Sequence, residues 1–293
     1  MHRDEVTVDE TLVRRLLASQ FPQWADLPLE PVAPRGTDNW LYRLGGKLVV
    51  RLPCRERTVA TLIRERTWLP RLAGRLPLEI PLPLAAGEPG AGYPWTWSVY
   101  RWLEGENAID APVGDLTQAA VDLAALLESL HRVDPNGGPG PGKENFFRGA
   151  PLETFDARAR ADLVHLRDEI DVEAAMAVWE EALRARRPEG RPVWVHGDLD
   201  RRNLLTRQGR LAAVVDFGCL GVGDAACDVA VAWKVLSPET RDRFRSALSV
   251  DDATWARAHG WAVSQALGAL AYYTPETNPS LVAEARRWLA DAL

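Results

Sequence analysis

The sequence predicts an α+β fold in two lobes: a small β-rich lobe over residues 1–100, a crossing at 101–105, and a larger α-helical lobe over 106–293. Three observations carry that expectation. The first hundred residues hold short apolar segments punctuated by glycine and proline, as strands do. The remainder is dominated by apolar residues at helical spacing. Charge divides at the same place: residues 1–100 hold 13 Arg+Lys against 11 Asp+Glu, and residues 101–293 hold 22 against 30. The first part suits an anionic ligand and the second a cationic one, although an acidic face also serves solubility alone.

The elements follow in order. Residues 9–20 place Leu12, Leu16 and Leu17 on one helical face behind an Asp9 cap. NWLYRL at 39–44 and KLVVRL at 47–52 read as strands of a hairpin, with Gly45-Gly46 as a two-residue turn supplying positive φ. Residues 57–73 read as a helix carrying Leu62, Glu65, Leu69 and Leu72. The Pro-rich stretch IPLPLAAGEPG leads to an aromatic strand in YPWTWSVYRWLEGE. Leu116–His131 is helical, and a Gly/Pro-rich loop runs on to Gly142. Helical patterns return at 153–187, short strands bracket the loops of PVWVHGDLDRRNLL and LAAVVDFG, and 224–292 is helical with breaks at Ser237-Pro238, Ser249–Asp252 and Thr274–Pro279.

Composition excludes several classes of protein. At 293 residues, 46% hydrophobic and 26% charged, the chain can bury a sizeable core and is neither fibrous nor disordered. A net charge of −6 argues against a nucleic-acid partner. No run reaches the roughly 18–20 apolar residues of a membrane span. The polar start MHRDEVTVDE has no signal core, so a cytoplasmic protein without a membrane partner is expected. Cys54, Cys219 and Cys227 are too scattered for a disulfide framework or a four-cysteine zinc site, and read as small buried residues.

The residues that carry chemistry lie in His196-Gly197-Asp198-Leu199-Asp200-Arg201-Arg202-Asn203, followed by Asp216-Phe217-Gly218. An acid in a turn can take a hydroxyl proton as that hydroxyl attacks a phosphoryl group. An amide five residues on can reach a metal, and a carboxylate on the next loop can complete its oxygen shell. Mg²⁺ suits such hard oxygen ligands plus phosphate. Asp and Asn also fill turns for their own backbone bonds, but the combination H-G-D-x-x-x-x-N, strand, D-F-G is highly specific.

These motifs resemble those of the aminoglycoside phosphotransferase family, a branch of the protein-kinase-like fold, over nearly the whole chain from about Gly36. The resemblance implies Asp198 as catalytic base, Asn203 and Asp216 as Mg²⁺ ligands, and ATP or GTP as co-substrate. It implies His196 and Asp228 as braces of the catalytic loop. Arg201 and Arg202 read as solvated charges, with contact to the γ-phosphate as the alternative. In the small lobe the strand position where such proteins place a phosphate-binding lysine holds Arg51, with Glu65 as its helix partner; an exposed surface pair is the alternative. Lys47, beside the hairpin turn, is the rival cation. The phosphate-covering loop is reduced to Pro34-Arg35-Gly36-Thr37-Asp38-Asn39, from which Gly36 and Asn39 are candidate nucleotide contacts. At the hinge, main-chain groups of Arg101 and Leu103 would meet the purine edge, and Tyr100 would stand behind the base or pack against Trp95 and Trp97. His131 reads as satisfying the last carbonyls of its helix, and Asp224 as a helix N-cap.

The expected function is therefore Mg²⁺-dependent phosphoryl transfer to a hydroxyl of a small molecule. Residues 151–181 carry nine acids against three arginines, and in this family the helices before the catalytic loop form part of the acceptor site. That favours a cationic acceptor of aminoglycoside type. The alternatives are a metabolic or macrolide kinase of the same fold, with Trp233, Trp255, Trp261, Tyr272 and Tyr273 lining its pocket, or a nucleotide-binding regulator without turnover.

Overall fold

The computed structural model describes residues 6–33, 38–188 and 190–293. The small lobe begins with helix α1 (Glu10–Gln20), whose N-terminus is capped by Asp9 accepting from Leu12 N at 2.7 Å. A five-stranded antiparallel sheet follows, built from β1 (Leu29–Pro31), β2 (Asn39–Leu44) and β3 (Leu48–Pro53), then, after helix α2 (Glu56–Leu72), β4 (Pro83–Gly87) and β5 (Trp97–Arg101), in the order β1-β2-β3-β5-β4. Two of these strands are not apparent from the pattern. β1 is three residues long, and β4 contains the Pro-rich stretch; both are edge strands, where proline's missing N–H does least harm. The hairpin turn is also longer than expected. Leu44 pairs with Leu48, so Lys47 joins the glycines in the loop, and only Gly45, at φ 57°, is left-handed.

Strand alternation gives the sheet two faces with separate partners. Tyr42, Val50, Trp97 and Val99 bury against Leu12, Val13, Leu16 and Leu17 of α1. Tyr100 turns to the other face, where Leu62, Leu69 and Leu72 of α2 join a core continuous with the large lobe.

The large lobe starts with the short β6 (Glu106–Asn107), helix α3 (Leu116–Arg132), α4 (Asp156–His165) and α5 (Val172–Arg184). The helical patterns expected at 153–187 are these last two helices: α4 ends at His165, and Asp171 caps α5 by accepting from Ala174 N at 3.0 Å. Next come β7 (Val193–Val195), the hairpin β8 (Leu204–Arg207) and β9 (Arg210–Val214), and β10 (Gly221–Gly223). β7 pairs with β10, and β8 lies between β6 and β9. Helices α6 (Ala226–Val229), α7 (Val231–Val235), α8 (Pro238–Leu248), α9 (Asp252–Tyr272) and α10 (Pro279–Ala292) complete the chain. The breaks fall where the sequence put them: Asp251 and Asn278 cap α9 and α10, and Pro238 opens α8. Among the described residues no helix is long and apolar enough to cross a membrane.

Candidate active site

The catalytic loop runs from β7 to β8 and is held from beneath by one buried carboxylate. Asp228, fully buried on α6, accepts from His196 N at 2.6 Å and Gly197 N at 2.8 Å. His196 adds a second brace. Its Nε2 lies 3.0 Å from Val215 O and its Nδ1 accepts from Asp198 N at 3.2 Å, which fixes the Nε2–H tautomer; its ring packs on Phe217. One imidazole therefore ties the loop of Asp198 to the strand end that carries Asp216.

Asp198 then projects among cations. Arg148 Nη2 lies 3.4 Å from its Oδ1 and Arg202 Nη2 3.9 Å from its Oδ2. Burial works against ionisation, but Arg148, Arg202 and Lys234 outweigh it and hold the carboxyl down to about 2. The side chain is an anion throughout the neutral range.

Asn203 donates from Nδ2 to Asp198 O at 2.7 Å and toward Asp198 Oδ2 at 3.3 Å, which commits its nitrogen and leaves the amide oxygen as the ligand atom. Its main chain accepts from Val215 N at 2.9 Å, so the loop bearing Asn203 abuts the residue before Asp216. Asp216 itself sits at φ 60°, ψ 67°, a left-handed conformation that costs a non-glycine residue of order 1 kcal/mol or more and is concentrated at functional sites. Its charge acts on Arg51 and Glu65 of the small lobe and on Arg202 of the large one, so it lies where the two lobes meet. One amide oxygen and one carboxylate form a hard donor set that fits Mg²⁺ completed by phosphate. Among the described residues no group of three or more His, Cys, Asp or Glu is arranged to hold a metal by itself.

In the small lobe Arg51 on β3 and Glu65 on α2 form a buried ion pair, with Arg51 12% and Glu65 0% exposed, which removes the surface-pair alternative. Tyr100 OH donates to Glu65 Oε2 at 3.3 Å, so Tyr100 stands behind the pair and not against Trp95 or Trp97. Burial opposes the Arg51 charge, and Glu65 overcomes it, so the guanidinium stays protonated. Asn39 is spent on the same group: with its oxygen turned to Arg51 it accepts from Nη2 at 3.1 Å and Nε at 3.2 Å. Its side chain supports the cation and does not face outward to a nucleotide. Lys47 is exposed at the turn. Gly36 lies outside the described residues. At the hinge, Arg101 N donates to Leu82 O at 3.0 Å and Trp102 N to Lys47 O at 2.8 Å; among the described residues Leu103 N–H has no main-chain acceptor.

Other expectations change. Arg202 is not a solvated charge: Asp200, fully buried, holds it at 2.6 Å through Nη2 and 3.1 Å through Nε. Arg201 is gripped by both carboxylate oxygens of Glu284 on α10 through its Nε–Nη2 edge. His131 does not cap its helix; Nε2 is buried without a partner, and burial lowers its basicity. The N-cap position of α6 falls on Ala225 and not on Asp224; Asp224 stands one residue earlier, accepts from Ala226 N at 3.0 Å and pairs with buried Arg257 at 2.7 Å. Burial pushes the Cys219 thiol up to about 12, so it is no thiolate ligand. Of the aromatics considered for a pocket, Trp233 and Trp261 are core residues at 4% and 1% exposure, Trp255 and Tyr273 are half-buried, and Tyr272 is 65% exposed.

Sequence reasoning missed Arg148 and Lys234. Lys234 had a signal, a lone lysine within the apolar run VAVAWKVL; its Nζ is buried and donates to Leu199 O at 2.9 Å. Arg148 had none, because its role depends on a loop fifty residues before Asp198.

A fold of this topology, with an H-G-D-x-x-x-x-N loop and a D-F-G loop meeting at the junction of the lobes, is that of the phosphotransferases built on the kinase plan. The model of the family APH, the phosphotransferase enzyme family, matches residues 30–261, and the chain belongs to that family. An aminoglycoside 3'-phosphotransferase of Escherichia coli and another of Salmonella typhimurium are each 26% identical over 151 residues, 50% of this chain and 51% of theirs. The chain thus spans about half the length of these curated relatives. Over nearly the full length it shares the fold of solved structures. The GDP and kanamycin complex of APH(2")-IIIa matches at a TM-score of 0.71 and 18% identity, covering 96% of this chain and 97% of that one. The macrolide 2'-phosphotransferase MphH of Brachybacterium faecium matches at 0.65 and 22%, covering 93% and 97%.

Proposed function

We propose that this protein is a cytoplasmic, Mg²⁺-dependent O-phosphotransferase that moves the γ-phosphoryl of ATP or GTP to a hydroxyl of a small molecule. The observation that supports it most is that Asn203 is bonded to Asp198 and, through Val215 N, to the residue before Asp216. Asn203 and Asp216 would hold Mg²⁺, which when bound neutralises charge on the nucleotide phosphates. Arg51, fixed by Glu65 and Asn39, supplies a permanent cation to the same phosphates and can offer paired donors where lysine offers a point charge. Leu103 offers a main-chain N–H to the base. Asp198, already ionised, orients the acceptor hydroxyl by accepting its hydrogen bond and takes its proton as the new bond forms. Most of the rate enhancement comes from positioning and preset charge.

For the acceptor, the relatives name aminoglycosides and macrolides, and an aminoglycoside-type antibiotic is our first choice because the large lobe is acidic. The choice is tested by a phosphorylation screen of aminoglycosides, macrolides and amino alcohols with ATP and with GTP, run in parallel on Asp198→Asn. The variant should bind nucleotide normally and turn over at least about 10²-fold more slowly. Near-normal turnover by a folded Asp198→Asn protein would remove Asp198 from the chemistry, and turnover with no acceptor of any class would favour the regulator.

A further inference from the structure

The loop between α3 and α4 brings to the catalytic carboxylate a cation that the motif does not contain. Arg148 Nη2 approaches Asp198 Oδ1 at 3.4 Å, a long contact for a charged pair. The Arg148 side chain is 20% exposed; its Nε is buried without an acceptor at hydrogen-bond geometry, and the Cys219 thiol is its other polar neighbour. A buried charged donor left open is costly and calls for a reason.

The backbone shows how firmly this arginine is placed. Phe146 and Phe147, just before it, have φ 55° and 56°, left-handed values that bulky side chains rarely adopt. Asn145, 1% exposed, locks this strained turn: its side chain accepts from Gly142 N at 2.8 Å, and its carbonyl accepts from Arg148 N at 3.0 Å. The opposite wall is cut to fit. A Cβ on Gly197 would meet Arg148 Cβ at 2.9 Å and Cys219 O at 2.8 Å, so the middle residue of H-G-D has no side chain and Arg148 occupies that space. Strain on one side and a stripped position on the other serve a single guanidinium.

Electrostatics indicates its use. Phosphoryl transfer brings a negatively charged group onto a hydroxyl that rests against Asp198, itself an anion, and like charges at such range repel strongly. A cation on the large-lobe side must offset them. Three side-chain cations act on Asp198. Arg202 is engaged by Asp200, and Lys234, 1% exposed, donates to Leu199 O. Arg148, 20% exposed, has Asp198 as its one ion-pair partner among the described residues, at a long 3.4 Å, whereas Arg202 is held by Asp200 at 2.6 Å.

We propose that Arg148 is a catalytic residue whose guanidinium contacts the phosphoryl group as it passes to the acceptor. This rests on the phosphotransferase reading above. In the step, the bond from the acceptor oxygen to the γ-phosphorus forms while the bond to the β–γ bridging oxygen breaks. The electron pair leaves on the nucleoside diphosphate, and the hydroxyl proton goes to Asp198 and then to water. Arg148 keeps its own protons and exchanges its long contact with Asp198 for phosphoryl oxygens.

The test uses Arg148→Gln, Arg148→Lys and Arg148→Ala in the full chain. Loss of a positioned charged donor should cut kcat by about 10²–10³-fold, with both KM values within about threefold of the parent. Lysine should restore little, lacking the planar fork, while guanidinium salt at non-denaturing concentration should partly rescue Arg148→Ala. A second readout needs no acceptor: Mg²⁺, nucleoside diphosphate and aluminium fluoride, which mimics the moving phosphoryl. Fluoride should add a thermal shift beyond that of the diphosphate in the parent and none in Arg148→Gln. A folded Arg148→Gln protein with parental kcat, or with the fluoride increment intact, overturns the proposal. A parent protein that shows no shift with Mg-diphosphate fails the phosphotransferase reading itself, and this proposal with it.

Discussion

The two lobes handle buried charge in opposite ways. In the small lobe the charge is a nearly closed unit: Arg51 is held by Glu65 and Asn39, and Tyr100 donates to Glu65 Oε2, which leaves Glu65 Oε1 as a buried oxygen without a partner. In the large lobe it is an open network. Arg148 and Arg202 lie against Asp198, Asp200 holds Arg202, and Lys234 is bonded to Leu199 O between the two acids. Helix α10 enters through Glu284 on Arg201 and through Trp288, whose ring lies 5.0 Å from Lys234 Nζ and 5.8 Å from the Arg202 guanidinium. A closed pair fixes one cation for a ligand that is always the same, the phosphates. The network leaves donors open, as a site must when a group arrives and departs in each turnover.

Asp216 joins the two arrangements, because its charge acts on Arg51 and on Arg202. Asp216→Ala should therefore have the largest effect of the substitutions outside the catalytic base. Asn203 is neutral and a poor ligand alone, so Mg-nucleotide binding should be lost and turnover abolished. Titration of nucleotide binding with and without Mg²⁺ checks this; a variant that keeps the parent's Mg²⁺ dependence would show that the metal is held elsewhere.

Arg51 probes the closed pair. Removing one partner of a buried ion pair strands the other, at a cost of about 3–5 kcal/mol. Arg51→Met should accordingly lower the denaturation midpoint and raise nucleotide KM together. Arg51→Lys keeps the charge but loses the paired donors to Asn39, so its stability loss should be smaller while nucleotide KM still rises. Equal stability of the parent and Arg51→Met would mean that the pair is not the closed unit described here.

The same contrast explains how much could be read from sequence. Arg51 and Glu65 were legible through the family resemblance, which supplied the strand and helix positions to compare; their own pattern left an exposed surface pair open. Asp198, Asn203 and Asp216 were legible because their spacing is local. Asn39 was singled out for its backbone N–H; that its side chain turns inward to Arg51 is a tertiary choice that no pattern encodes. Arg148 and Glu284 were invisible, since they reach the catalytic loop from 50 and 83 residues away. Arg201 and Arg202 looked solvated because their partners, Glu284 and Asp200, are recognisable as partners only once the loop is folded.

The acidic insert is where the two kinds of charge can be told apart with the gentlest change. Its nine acids suggest a strong negative field, but the fold weakens it. Glu153 pairs with Arg187, Asp156 with Arg160, Asp162 with Arg158, Glu169 with Arg286 and Glu180 with Arg184, so arginines from outside the window answer several of them. Asp171 is used as a helix cap. Glu173 and Glu181 are exposed and have no ion-pair partner among the described residues, which makes them the open part of this surface. Each such charge contributes at most about 1 kcal/mol to a cationic ligand, and salt screens it. Changing both to Gln should raise the KM of a cationic acceptor by no more than about fivefold per residue, leave nucleotide KM unchanged, and flatten the rise of acceptor KM with ionic strength. An acceptor KM that is insensitive both to salt and to this double change would mean that the insert does not read acceptor charge, and would shift the choice from an aminoglycoside to a neutral acceptor or a macrolide.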